Sequence, residues 1–362
     1  MAIAMSAGVR FGVVGCGRIG STGDDRAREW PTAHLWLPYS HCSAITATAG
    51  ATLAAVCDVD PAAAADALRR HGPDACYRDI DTMLSNESLD VLSIATRTRE
   101  RGDVIRRALQ AGIRALYCEK PLSNSLEEAD ALTDLIERQG VAFVYGTKRR
   151  FMPAFHDVRE RIRAGEIGEV TTITVRFGSG SLLWSSPHAV DVAMFFANDA
   201  PIDRVQADLS MDRSDLKDFV VDADPVVQCA TIHFDSGVRA IVLAGEGYDV
   251  QVIGRDGLVT MDADGYRVRW RKPLRGGDFG WLLDEGIDPP APASSGTQLS
   301  IASLVGSVRH GIHPGYDIRM ALRNQEILFA MVESQLADGK AIRFPVQRRG
   351  LTITGRTHSL YA

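Results

Sequence analysis

The sequence predicts a two-part α/β protein: a doubly wound parallel sheet of Rossmann type first, then an α+β part on a large, mostly antiparallel open sheet. Three observations carry this. The 362 residues exceed what one hydrophobic core usually organises. From Val9 to Tyr145 apolar runs alternate with helical stretches, as parallel strands joined by crossover helices do. After about residue 147 strands predominate and glycine-bearing turns separate them, as in hairpins. The expected parts are therefore 1–147 and 148–362.

The first apolar run leads into Gly15-x-Gly17-x-x-Gly20, with Arg18 and Ile19 inside it. In such a loop the first glycine makes a tight turn and the second lets backbone approach a pyrophosphate. The third lets a helix pack closely with its N-terminal amides facing the anion. Gly15, Gly17, Arg18, Ile19 and Gly20 are thus the expected phosphate-binding positions. The pattern alone is weak and needs an acid ending the next strand to take ribose hydroxyls. Asp58 follows the run Thr52–Cys57 and meets that need. Its carboxylate would repel a 2′-phosphate, which favours NAD over NADP. The spacing is unusual: Gly20 to Asp58 is 38 positions, where about 20 is usual. Residues 21–40 contain Trp30, Pro31, Trp36 and Pro38 without a helical stripe. They read as an insertion covering the mouth of the site or, equally, as packing for an irregular loop. The helix proper is expected near His41.

Further units follow: a helix over Pro61–His71, a strand over Asp90–Ala95 with Thr96 just after it, and a helix over Gly102–Gly112. The strand Ala115–Cys118 then ends abruptly in Glu119-Lys120-Pro121. At the carboxyl edge of a parallel sheet such residues meet ligands, although two solvated charges at an ordinary strand exit would read alike. Ser125 and Glu128 suggest a capping box for the next helix, and Val141–Tyr145 closes the series. Arg97, Arg99 and Arg101 are either an anion site or a solvated loop and helix start.

The second part opens with a helix over Arg150–Ala164. Expected strands are Val170–Phe177, Val205–Met211, Val226–Phe234, Arg239–Gly245, Tyr248–Gly254, Leu258–Asp262 and Tyr266–Trp270. A loop is expected at 289–292, with helices over Leu299–Arg309 and about Asp317–Asp338. In His188-Ala-Val-Asp191, at a helix start, the two polar residues are three apart and share a face.

A net charge of −6 without a basic block gives nucleic acid no footing. No apolar run approaches the roughly 18 residues of a membrane span, and Met1–Gly8 does not read as a signal peptide. Six scattered cysteines without CxxC pairs fit reduced thiols in a cytoplasmic protein, and no metal site is expected.

The glycine loop, Glu119-Lys120-Pro121 and His188-x-x-Asp191 together resemble the Gfo/Idh/MocA oxidoreductases, whose members include inositol dehydrogenases and glucose–fructose oxidoreductase. Lys148-Arg-Arg150-Phe151-x-Pro153 is similar to the family's domain-joining segment, and Gly165-x-x-Gly168-Glu-Val170 to the start of its second sheet. Ala330-x-x-Glu333-Ser334 with Pro345 resembles its last helix and closing strand. The resemblance implies hydride transfer between NAD and a secondary alcohol or ketone of a sugar, sugar derivative or cyclitol. It implies a homodimer or homotetramer built through the open sheet, in which the second part binds substrate and joins copies. Lys120, His188 and Asp191 are the expected catalytic residues. Thr96, Glu119 and Lys120 join the glycine loop and Asp58 in the cofactor site. Lys120, Lys148, Arg150, Trp184 and His188 are expected to bind substrate. Two departures stand out: Trp184 replaces the aspartate that many members carry four residues before the histidine, and the 97–101 arginines replace a Thr-Pro motif. Two other readings compete with the dehydrogenase: an NAD-using lyase or glycosidase without net redox change, and a non-catalytic dinucleotide and sugar sensor.

Overall fold

The computed structural model describes residues 8–178, 180–274, 280–288 and 295–355. Two compact units divide them. One draws on 1–123, 128–148 and 293–321, the other on 124–127, 149–292 and 322–362. A late stretch of chain, from well beyond the expected boundary at 147/148, thus belongs to the first unit.

The first unit is built on β1 (Val9–Val14), β2 (Ala51–Cys57), β3 (Ala75–Tyr77), β4 (Val91–Ile94), β5 (Ala115–Cys118) and β6 (Ala142–Tyr145). Their spatial order is β3-β2-β1-β4-β5-β6, with every pairing parallel. This is the doubly wound order in which the strand sequence reverses between β1 and β4, opening a crevice at their carboxyl ends. Strands β4 and β5 are buried throughout, which explains continuous apolar runs in place of alternation. The helix Pro61–His71 starts where Asp60 accepts the Ala62 amide at 2.9 Å and stops at Gly72, in a left-handed conformation. The late helix Gly296–His310 packs on β5 and β6.

The second unit contains β7 (Val170–Phe177), β8 (Ile202–Leu209), β9 (Leu216–Lys217), β10 (Val220–Val221), β11 (Val227–Phe234), β12 (Arg239–Leu243), β13 (Tyr248–Gly254), β14 (Gly257–Asp262), β15 (Arg267–Pro273), β16 (Leu282–Ile287), β17 (Ile342–Arg343) and β18 (Thr352–Ile353). Nine form one open sheet in the order β16-β15-β14-β13-β7-β12-β11-β8-β17, and β18-β10-β9 form a small second sheet. In the large sheet only β7 and β12 pair in parallel among the described residues. Ile173, Val175 and Phe177 on β7 and Ala230, Ile232 and Phe234 on β11 alternate inward, the pattern of a sheet with one covered face. The helix Ser186–Phe196 covers β7 and β12.

Several expected boundaries move. The glycine loop runs straight into helical turns at Arg18–Thr22 and Gly23–Ala27, so the inserted chain follows a first helical stretch instead of displacing it; His41–Thr46 is a second, short helix. The helix expected from Gly102 begins at Thr98, and that expected from Arg150 begins at Pro153, after a 3-10 turn over Lys148–Phe151. The shortest strands gave too little periodicity to be anticipated. The expected loop at 289–292 lies outside the described residues. All six cysteines are free thiols. No helix among the described residues is long and apolar enough to cross a membrane.

Candidate functional site

At the carboxyl end of β1, Gly15 has φ +92, and a Cβ there would meet the Ala95 carbonyl at 2.7 Å; a Cβ on Gly20 would meet the Gly15 oxygen at 1.8 Å. Protein packing thus demands glycine at both positions. Gly17 differs, since a Cβ there meets no protein atom within 4 Å. Its lack of a side chain leaves a bare backbone approach, which is what a pyrophosphate requires. Gly17 caps the helical turns, its carbonyl accepting the Ser21 amide at 2.8 Å. Asp58 is fixed at the foot of the same loop: one oxygen accepts the Cys16 amide at 2.7 Å and the other the Asp60 amide at 2.9 Å. Each oxygen keeps a further lone pair for a hydroxyl donor. These residues fit a dinucleotide. Thr96, at the end of β4, borders the loop, its amide 3.0 Å from where a Gly15 Cβ would stand.

The end of β5 holds a buried polar cluster. Glu119 is 6% exposed and Lys120 7%, so this is not a solvated strand exit. Glu119 Oε1 lies 3.3 Å from His41 Nε2, and Oε2 accepts the Lys120 amide at 3.3 Å. A Cβ on Gly146 would stand 2.7 Å from Glu119 Oε1, so the glycine makes room for the carboxylate. His41 is completely buried, with Nδ1 2.8 Å from Ser93 Oγ and its ring 4.6 Å from that of Tyr117. Burial alone would raise the Glu119 pKa; the His41 hydrogen bond and the charges of Lys148 and Lys120 oppose it, and the carboxyl is held well below its usual range. Burial pushes the His41 pKa down, against the pull of Glu119. The pair is therefore an ionised carboxylate and a neutral imidazole. Lys148 is also buried, its Nζ 3.9 Å from the centre of the Tyr39 ring. Tyr39 packs edge-on against Trp30 and Trp36, with ring centres at 5.2 and 6.2 Å. Ser295 Oγ donates to the Pro38 carbonyl at 2.5 Å and Thr297 Oγ1 to that of Tyr39 at 3.2 Å, so the late helix holds the exit of the inserted chain.

The three arginines divide. Arg97 and Arg99 are exposed. Arg101 is buried and donates to the carbonyls of Pro121 and Thr96, tying the end of β5 to that of β4.

In the second unit, His188 is half-buried in the first turn of the helix Ser186–Phe196, and Trp184 is half-buried just before it. Asp191, expected as a catalytic carboxylate, is fully buried and faces Arg150, expected in substrate binding. Arg150 Nη2 donates to Asp191 at 2.8 Å and Nε approaches both its oxygens at 3.1 and 3.2 Å. Arg150 also reaches Asp199 at 3.1 Å, which Arg159 approaches at 3.3 Å. Arg149 pairs with the buried Asp264 at 2.6 Å. Lys120 and Lys148 belong to the first unit, His188, Asp191, Arg150 and Trp184 to the second. Sequence reasoning missed His41, Ser93 and Arg101 as parts of the cluster. His41 stood out only as a helix start, and its partners lie 52 and 78 residues away.

Comparison with known proteins agrees with this geometry. Residues 9–147 match the model of the oxidoreductase family GFO_IDH_MocA, NAD-binding Rossmann fold. The chain is 34% identical to an inositol 2-dehydrogenase of Rhizobium meliloti (strain 1021) over 167 residues, 46% of this chain and 44% of that relative, so it spans less than half of that protein's length. It is 28% identical to the scyllo-inositol 2-dehydrogenase (NAD(+)) of Bacillus subtilis (strain 168) over 271 residues, 69% of this chain and 73% of the relative. A solved NAD-binding oxidoreductase from Klebsiella pneumoniae shares the fold, with a TM-score of 0.74 over 93% of this chain and 99% of its own at 18% identity. The glycine loop, the strand-end acid and the buried Glu-Lys-Pro turn all lie within the segment that matches the NAD-binding Rossmann model, and the Bacillus subtilis relative aligns beyond that segment.

Proposed function

We propose that this protein is an NAD-dependent dehydrogenase that oxidises a secondary alcohol of a polyhydroxylated ring, a cyclitol or sugar, or reduces the matching ketone. The observation that carries the reading is the buried Glu119-Lys120 pair at the carboxyl end of β5, in the same unit and sheet as the glycine loop and Asp58. The inositol dehydrogenases among its relatives support the substrate class.

Bound NAD supplies the hydride acceptor. The glycine loop binds its pyrophosphate, and Asp58 takes the ribose hydroxyls. Because that carboxylate repels a 2′-phosphate, NAD is preferred to NADP. Lys120 hydrogen-bonds the reacting oxygen and shares its proton. An ordinary lysine, with a pKa of about 10.4, is a poor base, but burial lowers the cost of the neutral amine. His188, of a residue type that titrates near neutrality, is the general acid or base. Asp191 acts through Arg150, holding its helix in place, and Trp184 and Lys148 contribute to substrate binding. The open sheet, whose edge strand β16 exposes Leu283 and Ile287, supports assembly into a homodimer or homotetramer.

The test is a screen of inositols and aldoses for NADH formation, followed by Lys120→Ala. The expected outcome is turnover by the wild type and a loss of about 10²–10⁴-fold in the variant, with NADH still bound. Turnover that survives Lys120→Ala would remove the lysine from the chemistry. Product formed without net NADH would favour an internal redox cycle, as in a lyase.

A further inference from the structure

We infer that His41 is a positioning residue for the reaction: through Glu119 it sets the ionisation of Lys120 and Lys148. The inference rests on the role proposed for Lys120 and adds a component that no motif marks.

The hydrogen-bond chain has one consistent assignment. An ionised carboxylate only accepts, so His41 Nε2 carries the proton facing Glu119 Oε1. In a neutral imidazole Nδ1 is then the acceptor, and Ser93 Oγ donates to it. The line Ser93–His41–Glu119 crosses the unit's core from β4 to the end of β5, and each of its three members is buried. Buried polar groups are costly unless satisfied, so an arrangement this deep holds the carboxylate in one place. Gly146 shapes the other side of that place, since a Cβ there would strike Oε1.

Glu119 is the anion of the cluster. Lys120, just past β5, and Lys148, in the 3-10 turn after β6, act on it, with His41 from the short helix. Arg101 adds positive charge from the helix Thr98–Gln110, acting on His41, and Tyr117 and Tyr145 feel the Glu119 charge. A carboxylate beside a lysine favours the ammonium, whereas burial favours the neutral amine. Donation from His41 draws off part of the carboxylate's charge and stops it turning fully onto Lys120. Without that bond more of the carboxylate's charge is directed at Lys120, and its pull on the ammonium grows.

Lys120, Lys148, Lys217, Lys272 and Lys340 are the chain's lysines, so the Nζ signals of ¹⁵N-lysine-labelled protein can be followed singly by NMR against pH. The titration uses the full chain free of cofactor and therefore does not depend on turnover. A chain whose dehydrogenase reading failed would still report on this network. Glu119→Gln keeps the shape and removes the charge; the Lys120 titration should move down by on the order of one pH unit. His41→Phe keeps a ring against Tyr117 and removes the donor; Lys120 should move up by a smaller amount. His41→Gln restores a donor, and Lys120 should return toward the wild-type value. Ser93→Ala, a milder change, should move Lys120 in the same direction as His41→Phe and serves if that variant fails to fold. Lys120 and Lys148 titrations that stay fixed in folded Glu119→Gln and Ser93→Ala would overturn the inference. A downward shift in His41→Phe would reverse its sign and overturn it equally.

Discussion

Glu119 in the first unit and Asp264 in the second are buried to the same degree, each 6% exposed, yet their chemistry diverges. Glu119 faces His41, Lys120 and Lys148, and its pKa falls well below the usual carboxylate range despite burial. Asp264 has Arg149 at 2.6 Å, and burial still pushes its pKa up. Depth alone therefore does not decide the state of a buried acid; the number of positive and donating groups around it does. The first cluster holds an ionised carboxylate beside two buried lysines. The second ties Arg149, next to the Arg150–Asp191 pair, to the turn between β14 and β15.

The largest effect should come from breaking the second cluster. Arg149→Ala would leave Asp264 buried without its guanidinium, and loss of one partner of such a pair typically costs about 3–5 kcal/mol. Urea unfolding should show that loss, and the double variant Arg149→Met, Asp264→Asn should recover much of it. A loss under about 1 kcal/mol would mean that the pair is no more than a surface contact.

The two clusters should also respond to acid with opposite signs. A carboxyl whose folded pKa is depressed contributes stability that is present above the usual carboxylate range and is lost as pH falls below it. Glu119→Gln should therefore flatten the acid-side decline in stability below about pH 4.3. Asp264 has a raised folded pKa, so the cost of its charge is relieved as pH falls, and Asp264→Asn should steepen the same decline. His41, whose folded pKa is lowered, adds a decline that begins below about pH 6.5, which His41→Gln should remove. Thermal unfolding from pH 7 down to pH 4 measures all three, and equal slopes in Glu119→Gln and Asp264→Asn would erase the contrast.

The smallest effect serves as a reference outside both clusters. Asp60 caps the helix Pro61–His71 through the Ala62 amide. Asp60→Ala should cost about 1 kcal/mol without altering any lysine titration.

The parallel sheet was legible because its strands are short apolar runs punctuated by helices, and the glycine loop because its spacing is backbone geometry written in residue type. Glu119 and Lys120 stood out for the abrupt change from Cys118 to charge. The partners of those residues were not legible: His41 meets Glu119 across 78 positions, and nothing local to a histidine reveals such a contact. Arg101 looked like one of three loop arginines, yet the start of its helix at Thr98 turns it inward while Arg97 and Arg99 stay exposed. Asp191 shows the converse. Its spacing from His188 suggested shared chemistry, but a carboxylate on a helix buried on nearly every side had to meet a cation, and Arg150 supplies it.

The most direct measurement is a titration of cofactor-stripped protein with NADH and NADPH, read by nicotinamide fluorescence, for the wild type and Asp58→Ala. The expected result is tighter binding of NADH, with the preference lost in the variant, because a charged hydrogen bond of about 1.5–3 kcal/mol disappears. Preference for NADPH, or no binding of either, would contradict the assignment of the glycine loop and Asp58 to an NAD site.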